Sequence, residues 1–200
     1  MHIPADYEIK DSSVIESFIR RQSFGQLVCA GNRFPIINHL PFIYDHKRHC
    51  LLGHLAKQNP DLKQLNQASV TVVFTGPHGY ISPDWYEKPG VPTWNYQVVH
   101  ITGTCHIDTS ANACQQMVSE LSELHQKSLG LTWGNDYNPA MLSAIVALKI
   151  EIQAWRCQFK LSQDRSLQDQ HNVINALSEL GQQELSLAMT QYSHKKIIGK

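Results

Sequence analysis

The chain carries a series of β-strand patterns that follow one another directly, with turn signals and few helices between them. Examples are the β-branched run SVTVVF at 69–74 and the alternating segment at 96–108. Strands in hairpin succession pair antiparallel, whereas strands that alternate regularly with helices build parallel, doubly wound sheets. We therefore predict an α+β, mainly β fold, in which a six-stranded antiparallel barrel carries peripheral helices.

Periodicity and turn residues predict the individual elements. Strand patterns lie at 26–30, 35–44, 50–55, 69–74, 80–82, 96–108 and within 145–159. Gly76-Pro77-His78-Gly79 is interpreted as a turn between two of these strands. Helical patterns lie at 11–21, 60–66, 166–180 and 184–192, and after the capping residues Ser110 and Asn138. We predict one domain over 1–181, followed over 182–200 by a helical tail with the basic residues Lys195, Lys196 and Lys200.

Composition excludes several classes of protein. With 42% hydrophobic and 17% charged residues, the chain is not intrinsically disordered. Seventeen basic residues balance seventeen acidic ones, which argues against strong non-specific binding of nucleic acid or anionic membranes. The N-terminus lacks the pattern of a signal peptide, and no apolar run is long enough to span a bilayer. We expect a cytoplasmic protein without a membrane partner.

The cysteines and histidines do not form a recognisable reactive site. The five cysteines are odd in number and never spaced as CxxC, which predicts reduced, mostly buried thiols. Eleven histidines are scattered without HExxH or HxH spacing, so we predict no metal site. No catalytic triad can be identified from spacing, and the glycine-rich nucleotide motifs GxGxxG and GxxxxGK[ST] are absent. We therefore single out no catalytic residue.

Three segments have an unusual local composition. In GHLAKQNP at 53–60, a strand ends and a helix begins beside Lys57, a combination that suits a phosphate. A normal helix capped by Asn59, with a solvated lysine, explains the same pattern. The segment 80–96 concentrates Trp and Tyr on a proline-stiffened loop. It could form a wall for a planar ligand, a subunit interface or simple core packing. FKLSQDR at 159–165 could clamp a phosphate or form a charged turn.

Taken together, these blocks resemble the PaiB-type family, described as FMN-binding negative transcriptional regulators. The matching text is NHLPF at 38–42, GHLAKQNP at 53–60, FTGPHGYISPDWY at 74–86, VPTWNYQVVHITG at 91–103 and FKLSQDR at 159–165. The resemblance implies a split β-barrel like that of the pyridoxamine-phosphate-oxidase-type flavoproteins. It also implies a homodimer that holds FMN near the subunit interface.

The resemblance also implies the cofactor-binding residues. His39 and the backbone around Leu40 and Pro41 would lie on a barrel strand that faces the flavin. Phosphate and ribityl contacts would come from His54, Ala56, Lys57 and Asn59. The aromatic block supplies Thr93, Trp94, Asn95 and Tyr96. The late block supplies Lys160, Ser162 and Gln163, which would reach the cofactor or the partner subunit. From their chemistry, Lys57 or Lys160 suits the phosphate, and Trp94 suits apolar cover.

Several functions are compatible with these sequence features. The resemblance implies a regulator with operator DNA as partner, although the chain is neutral and only its C-terminal tail is basic. An FMN-dependent oxidoreductase, or a haem-handling split barrel that uses a histidine, is the enzymatic alternative. A cofactor-free interaction module, in which the aromatic block forms only a dimer interface, is the third.

Overall fold

A computed structural model describes residues 1–132 and 137–193. The strands are β1 (Phe24–Cys29), β2 (Ile36–Pro41), β3 (Ile43–Asp45), β4 (Cys50–Ala56), β5 (Ser69–Ile81), β6 (Thr93–Asp108) and β7 (Ile145–Lys160). The helices are α1 (Ser12–Arg21), α2 (Leu62–Leu65), α3 (Ala111–Ser128), α4 (Pro139–Leu142), α5 (Leu167–Glu179) and α6 (Gln183–Ser193). The predicted basic residues Lys195, Lys196 and Lys200 lie outside the described residues.

The strands form one sheet in the order β2-β1-β5-β6-β7-β4-β3. The registered pairs are antiparallel: β1 pairs with β2 from Phe24↔Pro41 to Cys29↔Ile36, and β4 pairs with β7 from Cys50↔Glu151 to Ala56↔Ile145. The α+β, mainly antiparallel fold predicted from the strand succession is confirmed.

The two edge strands of the sheet are consecutive in the sequence. Only Phe42 separates β2 at one edge from β3 at the other. Because a single residue joins them, the sheet must curl until its two edges approach each other. Phe42 belongs to neither strand, and its N–H donates to Ser23 O, just before β1, at 2.8 Å. This break divides the strand predicted at 35–44 into two, whereas the segments predicted at 69–74 and 80–82 form the single strand β5. The sheet therefore has seven strands, where a six-stranded barrel is predicted.

The turn predicted at Gly76-Pro77-His78-Gly79 is wrong, because β5 runs without interruption from Ser69 to Ile81. Neither glycine adopts a positive φ. Gly79 instead packs closely against α6: a Cβ there would lie 2.9 Å from Leu185 Cδ2, so that side chain would have to shift. In this strand, glycine therefore makes room for a helix.

The chain divides into two compact units. One contains Glu16–Phe74 and His100–Trp155, and all seven strands contribute to it. Its interior is filled by residues with at most 1% exposure, including Leu27, Leu51, Val72, Phe74, Ile101, Leu148 and Ile150. On the other face of β4, Cys50 and Leu52 pack against Cys114, Met117 and Leu121 of α3. Ser110 caps α3 as predicted, accepting from Ala113 N at 3.3 Å.

The other unit contains residues 1–15, 75–99 and 156–193 of the described chain. Its helices α5 and α6 contribute Val173, Leu177, Leu185 and Met189, all nearly fully buried. Phe159 of β7 meets Tyr192 edge-on, with ring centroids 5.1 Å apart. Gly181, at φ +76°, ends α5 as the sequence predicts.

All five cysteines are free and buried, which agrees with the predicted burial of the thiols. Among residues 1–132 and 137–193, no helix is long and apolar enough to cross a membrane.

Candidate functional site

Lys160, the last residue of β7, lies against the first residues of β6. Its Nζ donates to Thr93 Oγ1 and, at 2.8 Å, to the backbone carbonyl of Trp94. These bonds join two of the unusual segments, which are more than sixty residues apart in sequence. Burial lowers the pKa of Lys160 from its usual value, because the ammonium is partly removed from water. An ammonium carries three N–H donors, so one remains for an acceptor outside the chain.

Two aromatic side chains stand exposed beside this lysine's partners. Trp94 is 55% exposed and Tyr80 is 45% exposed. Their rings meet edge-on, with centroids 6.3 Å apart. These two side chains therefore do not belong to the core, which was one of the three interpretations of the aromatic segment. That interpretation does apply to Tyr86, which is buried.

Asn95 and Ser162, by contrast, are fully interior. Asn95 is 0% exposed, and its Nδ2 donates to Ser162 Oγ at 2.9 Å and to Met189 Sδ at 3.3 Å. Gln163 is occupied within its own turn, accepting from Leu161 N at 2.6 Å and donating to the Phe159 carbonyl. These polar groups are satisfied by the protein and hold the turn between β7 and α5 in place. Tyr96 is partly buried on β6.

The loop before β6 is tied to the start of α5. The Arg165 guanidinium lies 4.4 Å from the centre of the Tyr86 ring, within the range of a cation–π contact. Asp169, which is 7% exposed, accepts from Glu87 N at 2.8 Å. Sequence analysis did not select these two tethering residues. The Ser166–Asp169 spacing predicts only the start of a helix. Nothing in it predicts that Asp169 also binds the loop before β6 through Glu87 N.

In the unit that contains β2 and β4, Asn59 belongs to a polar network. Its Nδ2 donates to Asn38 Oδ1 at 2.7 Å, and its Oδ1 accepts from Asp61 N at 2.8 Å. Asn38 Nδ2 in turn lies 3.3 Å from Asp61 Oδ2. The prediction that Asn59 caps a helix over 60–66 is wrong, because α2 begins only at Leu62. Asn59 instead closes a local turn, and so short a helix offers little dipole for an anion.

Lys57 and His54 differ in environment although both come from the same segment. Lys57 is exposed, and its backbone N–H donates to Ala144 O at 2.8 Å. The Nδ1 atom of His54 is buried and has no hydrogen-bond partner within the described residues. Burial lowers the pKa of His54, so the neutral imidazole is favoured. Ala56 ends β4 with its side chain exposed.

The β2 residues divide between the two faces of the sheet. Leu40 is 3% exposed and belongs to the interior. His39 is exposed and stacks on Phe24, with ring centroids 6.5 Å apart and planes 23° apart. Pro41 is half-buried and opposite Phe24 in the register. Only His39 of these three offers a side chain to the outside.

Comparison of the sequence with known proteins identifies the family to which the chain belongs. Residues 1–154 match the family model described as "Putative FMN-binding domain". The chain belongs to this family. The protein named "Protease synthase and sporulation protein PAI 2" of Bacillus subtilis is 32% identical over 184 residues, which cover 88% of this chain and 89% of that protein. These matches confirm the PaiB-type resemblance. An uncharacterised protein of Aspergillus fumigatus is 27% identical over 240 residues, covering 90% of this chain and 92% of the relative.

Solved structures share the fold of this FMN-binding-domain family member. The FAD and heme binding protein of Mycobacterium smegmatis superposes with a TM-score of 0.63 at 15% identity, over 82% of this chain and 78% of that one. The flavocytochrome Anf3 of Azotobacter vinelandii gives a TM-score of 0.63 at 11% identity, over 79% and 72%. At these identities the likeness concerns the fold alone, and it agrees with the split-barrel class.

Proposed function

We propose that this protein binds FMN and acts, as a homodimer, as a negative regulator of transcription. Membership of the FMN-binding-domain family and the similarity to PAI 2 over most of both chains support the proposal. The observation that carries the flavin part is the position of Lys160. A partly desolvated cation, held by two hydrogen bonds beside an exposed indole, is suited to an anionic, planar ligand.

The chemistry of the donor set fits FMN. The cofactor has a flat aromatic ring, a hydroxylated ribityl chain and a phosphate, and it supplies redox chemistry when bound. Trp94 and Tyr80 offer exposed aromatic surface for apolar cover. Lys160 offers a charge-assisted N–H, which is stronger when partly buried than in water.

The segment at the end of β4 provides a second set of groups. Lys57 is an exposed cation, and the phosphate is assigned to it in this proposal. The buried, unpaired Nδ1 of His54 can accept or donate one hydrogen bond according to tautomer, and a ligand hydroxyl is a suitable partner. The Asn38–Asn59–Asp61 network holds the turn that follows Lys57. His39 and the β2 backbone at Leu40 and Pro41 complete the proposed set.

Asn95, Ser162 and Gln163 are proposed as positioning residues. Their polar groups bond to one another, to Met189 or to the backbone of the β7–α5 turn. This network fixes the turn immediately after Lys160. We therefore expect that substitution of one of these residues would displace Lys160 and thereby weaken cofactor binding.

An exposed apolar face supports the homodimer. Phe24 and Ile37 lie on paired strands with 64% and 55% exposure, and the nearby loop residue Phe34 is 69% exposed. Large apolar side chains grouped on one surface of a soluble protein commonly mark an interaction site. A second copy of the chain is the occupant we propose.

Cofactor binding is tested by titrating the purified protein with FMN and following the visible spectrum and the quenching of flavin fluorescence. We expect one FMN per subunit. Lys160→Met should weaken binding by about tenfold or more, since a charge-assisted hydrogen bond contributes about 1.5–3 kcal/mol. Lys57→Met should have a similar effect if it holds the phosphate, and Lys63→Met on α2 is the matched control. Absence of FMN binding by the unmodified protein would refute the flavin part.

The regulatory part requires a separate test. Fragmented genomic DNA of the source organism is incubated with the FMN-loaded protein, and the retained fragments are sequenced. We expect enrichment of specific promoter fragments, with affinity that falls as salt rises. Deletion of the gene should raise transcription from those promoters. Uniform retention of all fragments, or unchanged transcription, would contradict a negative regulator that contacts DNA directly.

A further inference from the structure

The loop between β5 and β6, residues 82–92, leads directly into the proposed flavin site. The first two residues of β6, Thr93 and Trp94, are the ones to which Lys160 donates its hydrogen bonds. A loop without anchors keeps conformational freedom that ligand binding would have to remove. The position in which Trp94 meets a ligand therefore depends on how the loop before it is held.

A buried carboxylate on α5 holds this loop near its middle. Asp169 Oδ1 accepts from Glu87 N at 2.8 Å, and Asp169 is only 7% exposed. The carboxylate belongs to the first turn of α5, which the Ser166 hydroxyl caps by accepting from Asp169 N at 3.0 Å. A hydrogen bond to an ionised acceptor is stronger away from water than at the surface. The helix therefore offers the loop backbone a fixed and strong acceptor.

The Tyr86 ring provides a second anchor beside this bond. The Arg165 guanidinium lies 4.4 Å from the centre of the ring, and Gln170 Nε2 donates to the Arg165 carbonyl at 2.9 Å. The loop then returns to the same ring: a Cβ on Gly90 would lie 2.5 Å from Tyr86 Cδ2 and 3.7 Å from Arg165 Nη1. The loop is thus in contact with the stacked pair both before and after Glu87.

The connection from this anchor to the flavin site is short. Residues 91 and 92 alone separate Gly90 from Thr93, and the ring of Pro92 restricts its own φ. A connection of two residues, one of them proline, leaves the chain little freedom. The position of the loop at α5 is therefore passed on to Thr93 and to Trp94 beyond it.

We propose that Asp169 and Arg165 are positioning residues of the flavin site, which hold the loop so that Trp94 is placed for the ligand before it binds. A site already held in its bound conformation binds more tightly, because less freedom is lost on binding. The inference rests on the proposed function, since the ligand concerned is the FMN assigned to Lys160 and Trp94. Neither Asp169 nor Arg165 belongs to the proposed cofactor-binding set.

Titration with FMN tests the role of the buried carboxylate. Asp169→Ala should weaken FMN binding by about tenfold, because binding must then also order the loop. Asp169→Asn keeps an oxygen that can accept from Glu87 N, so it should recover most of the affinity. Asp84→Ala, at an exposed aspartate of the same loop, is the matched control and should bind FMN as the unmodified protein does.

A second variant displaces the loop without touching the buried acid. A methyl group at Gly90 would collide with the Tyr86 ring, so Gly90→Ala should also weaken FMN binding. Lys88→Ala, at an exposed residue two positions earlier, is its control and should leave FMN binding unchanged. This variant keeps the proposal testable if Asp169→Ala does not fold.

A measurement without FMN tests the position of Trp94 directly. The protein is labelled with 5-fluorotryptophan, and ¹⁹F NMR follows its four tryptophans. The Trp94→Phe and Trp155→Phe variants assign two of the signals. We expect Asp169→Ala to shift or broaden the Trp94 signal and Asp169→Asn to leave it in place. The Trp155 signal, from the other unit, should stay unchanged and show that each variant is folded.

The two measurements separate this proposal from the proposed function. If the unmodified protein binds no FMN, the flavin function fails, and a Trp94 signal that moves in Asp169→Ala still supports the positioning role. The positioning role is overturned if that signal does not move in Asp169→Ala. It is also overturned if Asp169→Ala and Gly90→Ala bind FMN as tightly as the unmodified protein, or if Asp169→Asn loses as much affinity as Asp169→Ala.

Discussion

The Asn95 amide and the Ser162 hydroxyl are hydrogen-bonded to each other in the interior, at the point where β7 turns toward α5. The Asn95 Nδ2 to Ser162 Oγ distance is 2.9 Å, and both residues are nearly inaccessible to water. Ser162 has φ +63°, a left-handed conformation in which glycine is favoured. Serine supplies there what glycine would lack, a hydroxyl that is the partner of a buried amide, two residues after the tethered Lys160.

Ser162→Ala should therefore cost more stability than Ser162→Gly. Alanine keeps the unfavourable φ and leaves the Asn95 amide without its hydroxyl partner, at a cost of about 1–3 kcal/mol. Glycine loses the same bond but relieves the left-handed strain, which recovers about 1 kcal/mol. Urea unfolding of the two variants measures the difference, with the exposed Ser143→Ala as control. Equal losses for the two would show that backbone strain at Ser162 is not significant.

His54 should make the protein sensitive to mild acid. Burial lowers its pKa in the folded state below the usual value near 6.5, so the folded protein binds fewer protons there than the unfolded chain. Its contribution to stability is complete above pH 6.5 and is lost as the pH falls below that value. One proton gives a slope of at most about 1.4 kcal/mol per pH unit.

Urea unfolding at pH 7, 6 and 5 measures this slope. His54→Gln should flatten it, because glutamine does not titrate. The matched control is His171→Gln, at an exposed histidine on α5. An identical slope in the His54→Gln variant and the unmodified protein would assign the acid sensitivity to other groups.

The fold could be predicted from the sequence to the extent that local patterns determine it. The strand at 69–74 and the helix after Ser110 have strong local patterns, and both are found. The strand at 35–44 appeared continuous because nothing local shows that its halves pair with opposite edges of the sheet. The glycines at 76 and 79 predict a turn, whereas the structure has a strand there, and the helix that packs closely on Gly79 lies a hundred residues away in the sequence.

The candidate site shows the same limit. Sequence blocks marked Lys160 and Thr93 separately, but only the folded chain shows that they are bonded to each other. Asn95 and Ser162 were expected to contact a ligand because they are polar and lie within these blocks. In the structure they are hydrogen-bonded to each other. A sequence does not distinguish a polar residue that faces a ligand from one that faces a buried partner.

The thiols should be unreactive while the protein is folded. Burial raises the pKa of Cys105 and of Cys157 to about 12, and it also raises the pKa of Cys50. The thiolate is the nucleophile, so little reactive form of these three thiols exists at pH 8. All five thiols are also buried, which keeps the reagent from reaching them. Brief treatment with iodoacetamide should add no label to the native protein and five labels in urea, as counted by intact mass. Rapid labelling of a native thiol would show that the strand or helix that carries it opens locally.

Phe24→Asp should dissociate the proposed homodimer. Phe24 is 64% exposed on the face where it stacks on His39, and a carboxylate there would have to be desolvated in an apolar interface. Light scattering after size exclusion should give roughly twice 22.7 kDa for the unmodified protein and 22.7 kDa for the variant. Leu180→Asp is a close control, since Leu180 is 63% exposed at the end of α5, in the other unit. If Leu180→Asp dissociates the protein and Phe24→Asp does not, the second copy binds a different face.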